Sequence, residues 1–281
     1  MTSGSDWQGR VGQAWAEEWR RTDRSFAELT PQLLAAIGAR RGTQILDIGC
    51  GAGELSLALA VVRSDAHVTG LDISADLVAT ASERAAAMGT PRVRFRHGDA
   101  GEYADPHAAP DLLVSRHGVM FFADPPATFA HLARVSAPDA VLVFSCFRDR
   151  AANRWADLFD AVLPPLPPAP EPPFAPGPFA FADPAHATRC LAGLADAGWD
   201  RVEAVPADFS YVAGAGDDPV AEALAFFQRI GPAAARLAQV PREDRAAALE
   251  AMAGVLQDHC RDGKVTVPAA AWIMTAHRRS A

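Results

Sequence analysis

Asp47, Gly49, Gly51 and Gly53 alternate through a nine-residue stretch, DIGCGAGEL, that follows the apolar run Ile45, Leu46 and precedes a helix-forming segment. Glycine is the residue that lets a chain turn sharply from strand to helix and lets its backbone approach a ligand closely. A ligand site is therefore expected at residues 47 to 54, with Cys50 inside the turn. A second carboxylate, Asp72, ends the β-type run HVTGLD and is followed by Ile73; a third, Asp99, ends VRFRHGD and is followed by Ala100. An acid about twenty residues beyond a glycine turn, at the end of the next strand, is placed to accept from both hydroxyls of a ribose. The dinucleotide fingerprint requires a third glycine or alanine where this chain has Glu54, and a carboxylate there would face a pyrophosphate.

DxGxGxG with Asp72 and Asp99 at successive strand ends resembles motif I and its partners in the class I S-adenosylmethionine-dependent methyltransferases. The resemblance implies that Asp47 lies near the methionyl ammonium and that the backbone from Gly49 to Gly53 lies beside the carboxylate and sulfur. It also places Asp72 and Ile73 at the ribose and Asp99 with Ala100 at the adenine. The stretch SRHGVMFFADP, from Ser115, is similar to the small-molecule methyltransferases of ubiquinone and menaquinone biosynthesis and their bacterial relatives, which often carry phenylalanine where this chain has His117. Ser115 and His117 are then expected beside the sulfonium, with Met120, Phe121 and Phe122 continuing into the acceptor pocket. His117 has two readings. It is a base that takes a proton from a hydroxyl or amine acceptor, since imidazole titrates near neutrality, or it is a packing residue under the cofactor. Methyl transfer needs no dedicated base, because holding nucleophile, methyl and sulfur in line supplies much of the rate.

A chain of 281 residues, 49% hydrophobic, is long enough to bury a full α/β core with material left for a substrate cap. A formal charge of −8 opposes capture of nucleic acid, which favours a basic face. Cys50, Cys146, Cys190 and Cys260 are widely spaced and form neither a CxxC pair nor a metal-type pattern with histidine, so they read as reduced thiols. The first residues lack a signal-peptide apolar core, and no run has the length to span a bilayer. Cytoplasmic residence without stable membrane insertion is the resulting expectation.

Residues 42 to 147 alternate short apolar runs with alanine-rich stretches, the pattern of a parallel sheet covered by helices. The expected fold is α/β and Rossmann-like, with seven mostly parallel strands, an antiparallel last strand inserted between the fifth and sixth as in the resembled family, N-terminal helices and a helical cap. The division reads as helices over 1–40, a cofactor-binding core over 41–150, a proline-rich segment over 151–183, core again over 184–216, a helical insertion over 217–263 and a final core strand over 264–281. Trp15 and Trp19, four residues apart, are expected on one helix face, which either packs on the core or walls the substrate pocket. Nine prolines between 164 and 178 exclude helix and central strand. Phe174, Phe179 and Phe181 among them favour a substrate-facing lid over a bare linker, with Phe174 and Phe179 closing over the acceptor. A helix from Pro184 through Ala197 and a strand near Arg201 to Val212 are expected next. The inserted helices suit a cap or a homodimer surface. ADPPA from Ala123 resembles the DPPY motif of base-amino methyltransferases, but it stands well past the strand and lacks the aromatic residue, so Asp124 and Pro125 read as a helix cap. His259 beside Cys260 points away from it on a helix and reads as structural.

The function that follows is S-adenosylmethionine-dependent methyl transfer to oxygen, nitrogen or carbon of a small, largely apolar acceptor. The rivals are an NAD-dependent oxidoreductase, disfavoured by Glu54, and a non-catalytic cofactor-binding partner subunit of another methyltransferase.

Overall fold

The computed structural model describes residues 4–166, 175–194 and 197–279. Four helices lead the chain, α1 (Gly4–Trp7), α2 (Arg10–Glu17), α3 (Trp19–Ser25) and α4 (Leu29–Gly38). A regular alternation follows: β1 (Gln44–Ile48), α5 (Glu54–Val62), β2 (His67–Asp72), α6 (Ala75–Met88), β3 (Val93–His97), β4 (Leu112–Arg116), α7 (Pro125–Val135) and β5 (Val141–Phe147). Then come α8 (Pro184–Leu191), β6 (Trp199–Ala215), α9 (Pro219–Phe227), α10 (Gly231–Leu237), α11 (Arg245–Asp258), β7 (Cys260–Arg261) and β8 (Lys264–Arg278).

The sheet runs β3-β2-β1-β4-β5-β8-β6, with β7 hairpinned onto β8. Strands β1 to β5 pair in parallel, while β8 is antiparallel to both β5 and β6. The antiparallel last strand sits where the family resemblance implies; the two-residue β7 makes eight strands in place of seven. Because the connection from β1 leads to β2 on one side and β4 pairs on the other, the strand order reverses at β1, and a crevice opens at the carboxyl ends there. Register sets the carboxylates in that crevice, with Asp47 opposite Gly70 and Val114, and Asp72 opposite His97.

Local chemistry fixes the helix starts. Ser74 accepts a hydrogen bond from the Leu77 amide, and Asp124, Asp183 and Asp218 cap α7, α8 and α9, each followed by proline in the first turn. Leu29, Leu33 and Ile37 bury one face of α4 completely against the sheet, each contributing roughly 1.5–3 kcal/mol. Three sequence expectations shift. The helical segment around the tryptophans breaks at Glu18, so Trp15 and Trp19 lie on α2 and α3; buried Glu18 turns inward to Arg21 (2.6 Å) and Arg229 (3.2 Å). Helix α8 stops at Leu191 instead of Ala197, because Gly193 adopts φ +64° and Leu194 bridges back to Ala197. Strand β6 extends from Trp199 to Ala215, longer at both ends than expected, because β8 offers a partner along its length. Among the described residues no helix is long and apolar enough to cross a membrane.

Candidate functional site

The glycine turn after β1 is held in left-handed backbone, with φ +63° at Gly49, +55° at Gly51 and +86° at Gly53. Each glycine has its own reason. A β-carbon at Gly49 would sit 2.7 Å from the Gly118 α-carbon, so this residue lets the β1 and β4 exits touch. Gly53 lies 2.7 Å, on the same measure, from the Phe95 ring, which anchors the start of α5 beneath the sheet surface. Above Gly51 there is open space, and its amide donates to Asp72 Oδ2 at 2.8 Å. Asp72 Oδ1 accepts from the Ser74 amide at 2.9 Å. Each carboxylate oxygen keeps a lone pair for a further donor, and burial raises the Asp72 carboxyl above its ordinary range.

Asp47 is fully buried. Its Oδ2 accepts from Ser56 Oγ at 2.6 Å, while Oδ1 has no partner; the residue borders the cavity. Burial, opposed by the Ser56 hydroxyl, pushes its carboxyl up to about 6. Asp99 caps a short 3-10 turn through the Gly101 amide at 2.7 Å and leaves Ala100 buried at the cavity wall. Arg116, at the end of β4, is largely buried beside three carboxylates. It pairs with Glu54 and approaches Asp23 at 3.7 Å, and Asp23 in turn pairs with Arg84 at 2.7 Å. Burial lowers the Arg116 guanidinium, while Asp23 and Asp47 hold it charged. Glu54 therefore turns to Arg116 at the base of the turn, and the network ties α3 to the core.

One cavity of about 1280 Å³ joins these groups to an aromatic compartment. His117 takes φ +65°, which aims its ring between Phe147 (4.1 Å between centroids) and the edge of Phe26 (5.1 Å). Its Nδ1 lies 3.2 Å from Ser145 Oγ, its Nε2 is buried without a partner, and burial depresses the imidazole to about 3. Trp155 packs at 4.8 Å from Phe147 and stacks on Phe179 at 5.7 Å. The Gly177 amide donates to the Met120 carbonyl at 3.0 Å, which ties the end of the proline-rich segment to the chain leaving β4. Over the glycine turn, Trp7 meets Trp15 at 5.4 Å and Phe121 at 5.0 Å, and the tryptophans close on Ala52 and Leu77.

Most residues singled out in the sequence meet in this cavity: Asp47, Gly49, Cys50, Gly51, Asp72, Ile73, Asp99, Ala100, His117, Met120, Phe121, Phe122, Trp15, Trp19 and Phe179 all line it. Two cofactor candidates do not. Gly53 supports the turn from below, and Ser115 lies under the floor, where its hydroxyl donates to the Ile48 carbonyl at 2.7 Å and accepts from the Gly118 amide. Phe181 is completely buried against Phe129 and Phe144, so it belongs to the core and not to a lid. Phe174 lies outside the described residues. Sequence reasoning missed Trp7, Phe26, Phe147, Trp155 and Tyr211 as cavity walls. Phe147 ends β5 beside His117 and was findable from the rule that ligands sit at strand carboxyl ends; the others come from distant segments with no local signal.

The strand order, the glycine turn and the acid-bearing strand ends are those that the resemblance to the class I S-adenosylmethionine-dependent methyltransferases implies. Residues 39–163 match a family described as a methyltransferase domain. The chain is 32% identical over 134 residues to 27-O-demethylrifamycin SV methyltransferase of Amycolatopsis mediterranei, covering 47% of this chain and 49% of that protein. It is 31% identical over 168 residues to malonyl-[acyl-carrier protein] O-methyltransferase of Serratia marcescens, covering 57% and 61%. A solved phosphoethanolamine N-methyltransferase 2 of Haemonchus contortus, in complex with phosphomonomethylethanolamine and S-adenosylhomocysteine, superimposes with TM-score 0.50 at 16% identity over 95% of this chain and 57% of that one. The chain spans about half the length of the curated relatives it matches, and the structural likeness concerns the fold.

Proposed function

We propose that this protein transfers the methyl group of S-adenosylmethionine to oxygen, nitrogen or carbon of a small, largely apolar acceptor. The observation that carries the reading is a single cavity with carboxylates and a glycine turn at one end and aromatic rings at the other. The residues fit the cofactor. The unpartnered Asp47 Oδ1 suits the methionyl ammonium, the open backbone at Gly51 suits the amino-acid chain, Asp72 has lone pairs for two ribose hydroxyls, and Asp99 with Ala100 borders the adenine. When bound, the sulfonium supplies an activated methyl group. The protein's part is to orient the acceptor against it and exclude water, and the aromatic compartment suits both. The tryptophan roof and Phe179, from the proline-rich side, are assigned as walls that close over the ligands.

Calorimetry tests this reading. S-adenosylhomocysteine binds and NAD does not, and the loaded protein transfers methyl from S-adenosylmethionine to a member of a panel of aromatic alcohols, amines and quinols. NAD binding with no response to S-adenosylhomocysteine overturns it, in favour of the oxidoreductase.

A further inference from the structure

Asp47 and Arg116 share one face of the sheet. Asp47 stands opposite Val114, and residues two apart on a strand point the same way, so Arg116 is its diagonal neighbour on β4, within reach of a long side chain. The first turn of α5 meets both: Ser56 donates to Asp47 Oδ2 at 2.6 Å, and Glu54 pairs with Arg116. From the other side the guanidinium donates to Thr30 Oγ1 of α4 at 3.0 Å, lies 4.9 Å over the Phe26 ring and approaches Asp23 of α3 at 3.7 Å. Asp23 is shared, since Arg84 of α6 holds it at 2.7 Å and also donates to the Ala52 carbonyl in the glycine turn at 2.6 Å. Two guanidiniums thus stand against three carboxylates, Asp23, Glu54 and Asp47. Asp47 is fully buried, and its Oδ1 has no hydrogen-bond partner. A buried carboxylate with no cation near it takes up a proton instead of staying charged.

We infer that Arg116 is a positioning residue for the cofactor that acts through Asp47: from one strand away it keeps that buried carboxylate ionised, and Asp23 on α3 sets how much of its charge Asp47 receives. The inference rests on the proposed cofactor site and says what makes Asp47 fit to hold an ammonium. In this role the guanidinium needs no contact with the ligand. The other groups around Asp47 do not supply the charge. On β2 Asp72 repels a second carboxylate, in the turn burial raises the Cys50 thiol and keeps it neutral, and on α5 Ser56 gives one hydrogen bond. Burial raises the Asp47 carboxyl, Ser56 and then Arg116 lower it, Asp72 raises it, and the balance stands at about 6. Removing Arg116 therefore raises the pH at which Asp47 gives up its proton. Removing the charge of Asp23 lowers it, because Arg116 is then shared with one carboxylate fewer. Opposite shifts from two members of one ion-pair network are not expected of residues that only tie α3 to the core.

The test reads Asp47 directly. Carbon-13 NMR of the side-chain carboxyls, with the Asp47 resonance identified by its loss in Asp47→Asn, gives its titration midpoint in the empty protein. Calorimetry gives the midpoint of S-adenosylhomocysteine affinity against pH. In Arg116→Met both midpoints should rise by about one pH unit or more. Arg116→Lys, which keeps the charge, should return them most of the way. Asp23→Asn should move them downwards, and it guards against a folding defect in the methionine variant. Near-ultraviolet circular dichroism and binding of 1-naphthol, an aromatic-alcohol probe of the far compartment, show which variants are folded. Midpoints that stay in place in folded Arg116→Met, or fail to fall in folded Asp23→Asn, overturn the inference. So does a loss of affinity in Arg116→Met that is equal at every pH, the mark of a guanidinium that binds the ligand carboxylate itself. Failure of the parent protein to bind S-adenosylhomocysteine removes the cofactor reading instead, while the carboxyl titration of the empty protein still decides what Arg116 does, so the two failures are distinct.

Discussion

The two ends of the cavity are built by different means. The cofactor end uses backbone and carboxylates supplied by three consecutive strand exits, Asp47 to Gly53, Asp72 to Ser74 and Asp99 to Gly101. The aromatic end uses side chains alone, brought from Phe26 after α3, His117 after β4, Phe147 on β5, Trp155, Phe179 and Tyr211 on β6. A site made of turn geometry tolerates almost no change in its residue types, whereas a wall of rings can be resurfaced one ring at a time without disturbing the sheet. On this account the first end fixes the donor and the second end selects the acceptor, so substitutions should separate the two affinities.

The largest separation is expected at Asp72. Asp72→Ala removes the acceptor for the ribose and frees the Gly51 and Ser74 amides, and calorimetry should show a loss of about 1–3 kcal/mol in S-adenosylhomocysteine binding. Asp72→Asn keeps one acceptor oxygen and should lose less. Equal affinity in the alanine variant would dissolve the proposed contrast at its strongest point.

Protonation sharpens the contrast next. Burial holds the Asp47 carboxyl up to about 6 in the empty protein, above its value in the unfolded chain. From this group alone, folding stability therefore falls as pH rises towards 6, because the folded protein must give up a proton the unfolded chain has already lost. Ligand binding has the opposite sign. An ammonium beside Asp47 favours the carboxylate, so S-adenosylhomocysteine affinity should be full above pH 6 and fall about tenfold per unit below it. Asp72, also raised by burial, steepens the fall, and Asp47→Asn should flatten only part of it. A 1-naphthol affinity that follows the same curve would show that the two ends do not bind independently.

The smallest effect is expected at the aromatic end. Phe179→Ser removes the ring stacked on Trp155 and should weaken 1-naphthol binding about fivefold, with S-adenosylhomocysteine affinity unchanged. A change in the second affinity with none in the first would place Phe179 on the wrong side of the cavity.

The same division explains what the sequence made legible. Glycines and acids at strand ends act locally, so DxGxGxG, Asp72 and Asp99 located their cavity wall in advance, and Asp124-Pro125 and Pro184 located the starts of α7 and α8. The alternation of apolar runs gave the parallel sheet, and the antiparallel insertion of β8 came from the family resemblance. Aromatic walls depend on tertiary meeting points. Nothing near Trp155 or Tyr211 distinguishes a ring that faces a ligand from one that faces the core, and Phe181, read as part of a lid, went to the core. Ser115 has the opposite lesson: it was expected at the site but does not line the cavity, and its hydroxyl is committed to joining β1 and β4. The break at Glu18 had no local signal either; Glu18 pairs there with Arg229, on a segment far along the chain.

A crystal structure of the protein with S-adenosylhomocysteine bound tests the division most directly. The account predicts ribose hydroxyls on Asp72, the methionyl ammonium on Asp47 Oδ1, and the sulfur turned towards the compartment bounded by His117 and Phe147. A ligand whose sulfur faces away from that compartment, or whose ribose makes no contact with Asp72, would contradict it.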